Sequence, residues 1–188
     1  MQLVDIGGSG IKSVQLPLYG DPNLSESIMT HYETPDWGNF VPWLAENGLL
    51  DREHIGISCA GFINSNGLIK LCRIAGWENV NLVNDIKAYA PDAHVYLLND
   101  AEAHLMAHHD LVANPMITLS LGTSVGFAIN DHHNRIIRPA DGFNFDIGAI
   151  SIPTKASCKQ LWWALGSGGL SELTKNMGER EGIRQYGY

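Results

Sequence analysis

Two glycine-rich segments carry the residue types that bind phosphate. The first, LVDIGGSGIKSV, joins two apolar stretches through an acidic residue, glycines and a serine. Glycine lets a ligand approach the backbone, and successive N–H groups in such a turn form a concave anion site. A carboxylate there suits phosphate only through a divalent cation, and the lysine either adds positive charge or points to solvent. The candidate residues are Asp5, Gly7, Gly8, Ser9 and Lys12.

The second segment, LSLGTSVGFAI, repeats this order, with Gly122, Thr123 and Gly126 as candidates. Neither segment is a Walker A loop, because no GKS or GKT follows, and neither precedes a helix as a GxGxxG motif would. One glycine hairpin alone is more often a structural connection. Two similar hairpins, separated by a strand that ends in an acidic residue, favour a functional interpretation.

The acidic residue between the hairpins lies in VYLLNDAEAH, where an apolar strand gives way to a helix. Ligands collect at the carboxyl ends of strands in α/β sheets, and a carboxylate there could accept a proton from an attacking hydroxyl. The alternative is that Asp100 only caps the helix Ala101–Asp110, which the local sequence favours. Both roles can coexist if Asn99 is the cap residue.

Strand and helix patterns alternate along the chain, which predicts an α/β fold with a mixed sheet. A break near Asn114–Pro115 predicts two units, residues 1–114 and 115–188. Strands are predicted at Met1–Ile6, Ile11–Leu16, Ser27–Thr34, His54–Ser58, Val95–Leu98, Met116–Leu121 and Phe127–Asn130, and helices at Asn39–Asn47, Val80–Ala90 and Ala101–Asp110.

Composition excludes several functional classes. A formal net charge of −8 disfavours nucleic-acid binding, which needs clustered Lys and Arg. We expect no membrane span, because no apolar run approaches roughly 20 residues. The first residues do not form a signal peptide, and the three cysteines show no CxxC spacing, so a cytoplasmic protein with reduced thiols is expected.

The ordered set of segments resembles the ROK family of sugar kinases, in the actin, Hsp70 and hexokinase superfamily. It comprises the first hairpin, GISCAGFINSNGLI, GWENVNL, VYLLNDAEAH and the second hairpin, and covers residues 2 to about 150. The resemblance implies a ribonuclease-H-like, actin-like ATPase fold with a complete first lobe and a truncated second lobe. Sugar and ATP would meet in a cleft between the lobes.

The resemblance also implies residue roles. The glycine hairpins would bind the phosphates of ATP, with Asp5 near Mg²⁺. Asp100 would be the general base that helps transfer the γ-phosphoryl of ATP to a hexose or acetamido-hexose. The sugar would be held by Gly61, Asn64, Asn99, Asp100 and Asp146.

Three features depart from the family. Its GExGH-like motif corresponds to Phe145–Ala149, where Asp146 could replace the Glu but Ala149 cannot replace the His. The cysteine-rich zinc motif is missing, since only Cys158 is nearby, and no structural zinc is expected. The family also continues well beyond 188 residues, so we expect a fragment or a short relative, whose exposed apolar surface would favour a homodimer.

Three functions therefore remain open. The first is an ATP-dependent sugar kinase. The second is a catalytically impaired relative that acts as a sugar or nucleotide sensor or a regulatory protein, and the third is a phosphohydrolase or assembly ATPase of the same superfamily. A ROK repressor is not expected, because Met1–Asp5 already begins the first strand and leaves no room for a helix-turn-helix.

Overall fold

A computed structural model describes residues 1–7, 10–17, 29–33, 35–108, 114–122, 124–153, 158–166 and 171. The strands are β1 (Gln2–Gly7), β2 (Gly10–Gln15), β3 (Thr30–Tyr32), β4 (His54–Cys59), β5 (Phe62–Ile63), β6 (Leu68–Cys72), β7 (Trp77–Asn81), β8 (His94–Asn99), β9 (Ile117–Leu121), β10 (Val125–Ile129), β11 (Ser151–Pro153) and β12 (Cys158–Gln160). The α-helices are α1 (Phe40–Glu46), α2 (Leu82–Tyr89), α3 (Asp100–Ala107) and α4 (Leu161–Leu165), and 3₁₀ turns occupy Trp37–Asn39 and Ile147–Ala149.

The main sheet is mixed, as the sequence predicts. Among the described residues its strand order is β3-β2-β1-β4-β8. The strands β1, β4 and β8 are parallel to one another, and Cys59 lies in register with both Ile6 and Asn99. The three strands therefore end at the same edge of the sheet, which we call the carboxyl edge.

Side-chain alternation in β1 separates the core from the candidate site. Val4 and Ile6 are buried in the hydrophobic core, so the intervening Asp5 faces the opposite side of the sheet. Lys12 lies directly opposite Asp5 on the antiparallel strand β2, and the two side chains share a face.

The start of helix α2 differs from the sequence prediction. The helix predicted at Val80–Ala90 begins at Leu82, because Trp77–Asn81 forms β7 and pairs with β6. The Asn81 side chain then caps α2 by accepting a hydrogen bond from the Asn84 N–H at 3.1 Å. The prediction was wrong at its start because the β7 residues pair with a distant strand, which local propensity does not reveal.

The second glycine-rich segment packs on α3. Strands β9 and β10 form an antiparallel hairpin, and α3 contributes to a small apolar cluster with it. The buried members of this cluster are Ala101, Leu105, Met116 and Ala128. Since α3 also follows directly from β8, the same helix contacts the main sheet and the second hairpin. Asp100, its first residue, is thus positioned between the two.

Within the part of the chain that the structure describes, no helix has the length and apolar character needed to span a membrane. The division into residues 1–114 and 115–188 stays a prediction.

Candidate functional site

Asp100 lies half-buried at the carboxyl edge, where β8 gives way to α3. Burial removes its carboxylate from water and raises its pKa above the ordinary value, and the negative charge of Asp5 raises it further. A hydrogen bond from the Ala101 N–H and the nearby His104 act in the opposite direction. Asp5 lies within reach of Asp100 through its charge, and its effect on the pKa of Asp100 is the smallest of these.

The start of α3 settles which residue caps it. Asn99 Oδ1 accepts a hydrogen bond from the Ala101 N–H at 2.9 Å, and the Glu102 carboxylate accepts one from the Asn99 N–H at 3.2 Å. This is a capping box with Asn99 as the cap residue. Asp100 is the first helical residue rather than the cap. Because Asn99 caps the helix, the Asp100 carboxylate is not needed for capping and can act chemically.

Asn99 also anchors the neighbouring loop. Its Nδ2 donates to the carbonyl of Gly61 at 3.0 Å, which holds the connection between β4 and β5 against the end of β8. The Asn99 side chain is only 7% exposed, and its amide oxygen and nitrogen both make these internal bonds. The structure thus gives Asn99 a positioning role beside Asp100, and its sugar-binding role stays a prediction.

The loop that contains Asn64 is built as a tight turn. Asn64 Oδ1 accepts hydrogen bonds from the N–H groups of Asn66 and Leu68, each at 3.0 Å. A segment far along the chain, residues 138–144, contacts this loop, because the Ile63 N–H donates to Asn144 Oδ1 at 2.6 Å. Asn64 is held in a defined position by these contacts, and its sugar-binding role also stays a prediction.

A buried ion pair, which the sequence analysis missed, fixes α3 to that same distant segment. Two nitrogens of Arg138 donate to the two oxygens of Glu102, each at 2.7 Å, and the side chains are 11% and 2% exposed. Arg138 also donates to the carbonyl of Gly142 at 3.4 Å. The Glu three residues after Asn99 is a capping-box signal, but nothing in the local sequence indicates an arginine 36 positions further on.

The first glycine hairpin needs glycine for a backbone reason. Gly10, opposite Gly7 in the β1–β2 register, has φ of +118°, and a Cβ there would lie 2.8 Å from the carbonyl oxygen of Tyr32. A side chain at this position would be strained and would collide with β3. Gly8 and Ser9, which the sequence predicts to bind phosphate, lie outside the described residues.

The second hairpin uses its glycines differently. A Cβ on Gly126 would lie 2.9 Å from the Cβ of Ala101 and 2.5 Å from Ser120 Oγ, so this glycine lets β10 pack closely on α3. A Cβ on Gly122 would meet no atom within 4 Å among the described residues, and Gly122 is exposed. Thr123 lies outside the described residues. Phosphate binding by Gly122 and Gly126 stays a prediction.

Asp146 is exposed and caps the 3₁₀ turn Ile147–Ala149, where its side chain accepts a hydrogen bond from the Ala149 N–H at 3.3 Å. The turn lies beside the second hairpin, since a Cβ on Gly148 would be 3.3 Å from the carbonyl oxygen of Val125. The role of Asp146 in holding a sugar stays a prediction.

Two buried thiols contact each other. The three cysteines of the described residues are free, and Cys59 Sγ donates to Cys72 Sγ at 3.8 Å. This hydrogen bond raises the pKa of Cys59 well above its ordinary value and lowers that of Cys72 to about 7. Burial and the more distant charges of Asp100 and Asp5 also raise the pKa of Cys59.

Comparison with known proteins supports the fold. No family model matches the sequence, and no curated protein matches it. Among solved structures, a ROK family glucokinase from Streptomyces griseus in complex with glucose and AMPPNP has a TM-score of 0.72 and 19% identity, over 96% of this chain and 62% of that one. A ROK family protein from Streptococcus pneumoniae in complex with sucrose has a TM-score of 0.68 and 22% identity, over 99% and 64%.

A ROK family transcriptional regulator, described as a homolog of the E. coli MLC protein, also matches. Its TM-score is 0.74 at 15% identity, over 96% of this chain and 50% of that one. The chain thus spans less than two thirds of the length of these solved structures.

The fold is therefore that of the actin-like ATPases, which confirms the predicted fold class. Within that class, the chain has the fold of the ROK sugar kinases and regulators. One fold supports several functions, so the function has to be argued from the site.

Proposed function

We propose that the chain is a sugar kinase-like protein that binds a hexose or acetamido-hexose together with ATP. Asp100 would act as the general base in transfer of the ATP γ-phosphoryl to a sugar hydroxyl. The observation that carries this proposal is the half-buried position of Asp100, on the first turn of α3 at the carboxyl edge, where β1, β4 and β8 end together. Ligands collect at this edge in α/β sheets.

The environment of Asp100 suits a base. The attacking sugar hydroxyl would lose its proton to the Asp100 carboxylate as its oxygen forms the new bond to phosphorus and the bond to ADP breaks. Burial raises the pKa of this carboxyl and brings it closer to the operating pH, which makes it a stronger base than a solvated aspartate. Asn99 would act as a positioning residue, because it sets the start of α3.

Asp5 offers the donor chemistry that a magnesium ion needs. Its carboxylate lies on the opposite face from the buried residues of β1, and its charge reaches Asp100. A cation between phosphate and carboxylate relieves such crowded negative charge. When bound, Mg²⁺ would neutralise charge on the phosphates. Backbone N–H groups of the two hairpins would supply the remaining donors.

A coupled ADP-release assay across a panel of hexoses and acetamido-hexoses tests this function. Turnover is expected with at least one sugar, and Asp100→Asn is expected to abolish most of it. Turnover that is unchanged in Asp100→Asn would refute the assignment of the base. Calorimetric titration with the same sugars and with ATP separates failure to bind from failure to react.

The second candidate is a sensor or regulatory protein that binds the sugar or nucleotide without efficient chemistry. The observation that favours it is the residue at the end of the 3₁₀ turn, where the exposed Ala149 stands in place of the histidine that the family motif would place there. A regulator is also among the proteins that share this fold. Sugar binding by calorimetry, with no turnover on any sugar of the panel, would favour this candidate.

We also propose that the chain pairs with a second copy. Strand β9 exposes the apolar side chains Ile117, Leu119 and Leu121, at 62%, 54% and 58%, all on one face. Contiguous exposed apolar surface of this kind marks interaction sites. Sedimentation velocity is expected to show a dimer that Leu119→Lys weakens. A monomer at micromolar concentration would contradict the proposal.

A further inference from the structure

Three side chains with metal-binding atoms meet at the edge of the main sheet opposite to Asp100. They are Glu53, His54 and His94, at the beginnings of β4 and β8. One carboxylate oxygen and one nitrogen from each imidazole all lie within 4.8 Å of one another. Among the described residues, this is the one group of three or more such side chains that close together.

The strand register creates this cluster. His54 and His94 are in-register partners on neighbouring parallel strands, so both imidazoles project from the same face of the sheet. Their ring centroids are 4.9 Å apart, and the His54 ring also lies parallel to Tyr96. The His94 N–H donates to the carbonyl of Glu53 at 2.7 Å, which holds the third member of the cluster beside β8.

We propose that Glu53, His54 and His94 form a binding site for a divalent transition-metal ion, with Zn²⁺ the best fit. Two imidazole nitrogens and a carboxylate oxygen are ordinary zinc ligands, and a fourth tetrahedral position remains for water or another ligand. Paired imidazoles favour zinc, copper or nickel, whereas calcium and magnesium prefer all-oxygen sites.

The geometry is close to what zinc requires. Two ligand atoms on one tetrahedral zinc ion lie roughly 3.3 Å apart, since each bond is about 2.0 to 2.1 Å long. His54 Nε2 lies 3.9 Å from Glu53 Oε1, and the three ligand atoms all lie within 4.8 Å of one another. Glu53 and His94 are exposed, so rotation of their side chains brings the three atoms together without moving the strands.

This site differs from the cysteine-rich zinc motif of the ROK family, because it contains no cysteine and lies at the other edge of the sheet from Asp100. A bound ion would link the first residues of β4 and β8, whose opposite ends carry Cys59 and Asn99. The unfolded chain does not hold these residues together, so zinc is expected to stabilise the folded state.

Isothermal titration of tag-free protein with zinc chloride tests the proposal. The native chain is expected to bind one Zn²⁺ saturably, and both His94→Ala and His94→Gln are expected to weaken the affinity by more than about tenfold. Glu53→Gln is expected to weaken it less, since both imidazoles remain. His132→Ala is the matched control, because it removes an exposed histidine outside the cluster.

A second readout follows the folded state directly. Zinc is expected to raise the Tm of the native chain and of His132→Ala, and to raise the Tm of both His94 variants by clearly less at the same zinc concentration. Circular dichroism without zinc checks that the variants are folded. The proposal is overturned if the His94 variants bind zinc as the native chain does, if His132→Ala loses the binding, or if the native chain binds zinc without saturation.

Discussion

The two glycine-rich hairpins are similar in sequence, but glycine is required for a different structural reason in each. In the first, Gly10 is required by its positive φ and by the approach of Tyr32 from the neighbouring strand. In the second, Gly126 is required because α3 packs against it, while a Cβ on Gly122 would meet no atom of the described residues within 4 Å. A repeated sequence motif therefore does not imply a repeated role, because the requirement for glycine at each position depends on its backbone φ and on the atoms packed around it.

The two hairpins also differ in how they relate to the candidate base. The first carries Asp5, whose charge acts on Asp100 across the carboxyl edge. The second supports the helix on which Asp100 lies, through the contact of Gly126 with Ala101. The first hairpin therefore affects the charge environment of Asp100, and the second hairpin supports the helix that positions Asp100.

The largest expected effect concerns the support of α3. Arg138→Ala leaves the Glu102 carboxylate buried without its partner, and we expect the free energy of unfolding to fall by about 3 to 5 kcal/mol. Urea denaturation measures this change in the free energy of unfolding. Arg135→Ala is the control, because it breaks an exposed arginine–aspartate pair four residues apart and should change stability far less. Equal losses in the two variants would show that Arg138 does not hold the helix.

The backbone role of the first hairpin comes next. Gly10→Ala places a Cβ 2.8 Å from the Tyr32 carbonyl oxygen at a φ that alanine rarely adopts. We expect a loss of about 2 to 3 kcal/mol in the free energy of unfolding. A stability equal to that of the native chain in urea would mean that the first hairpin is not constrained in this way.

The packing role of the second hairpin is expected to be slightly weaker. Gly126→Ala forces β10 and α3 apart and should lower the free energy of unfolding by about 1 to 3 kcal/mol. Gly122→Ala should leave stability unchanged, since its Cβ meets no atom of the described residues within 4 Å. If the two variants have the same stability, the contrast between these glycines does not hold.

The smallest expected effect is the dependence of stability on pH that Asp100 contributes. Its pKa is raised in the folded state, so ionisation at neutral pH disfavours folding, and this penalty disappears as pH falls through the folded-state pKa. Asp100→Asn should therefore be more stable than the native chain at pH 7, with a difference that shrinks toward pH 4. A difference that grows on acidification would contradict the raised pKa.

The sequence predicts those parts of the site that depend on local pattern. The hairpin β1–β2, the strand that ends at Asn99 and the α/β class follow from apolar runs and turn residues. The contacts of Arg138 with Glu102, of Asn144 with Ile63 and of Cys72 with Cys59 join residues far apart in the chain. No local signal specifies such partners, so they appear only once the strands are paired.

The most direct test of the proposed base is a comparison of kcat/KM between the native chain and Asp100→Asn, with a sugar that gives turnover in the ADP-release assay. Loss of a general base predicts a fall of about 10² to 10⁴-fold with sugar affinity retained, and a native kcat/KM that declines as pH falls through the raised pKa of Asp100. A kcat/KM that survives the substitution, with the same pH profile, would contradict the account.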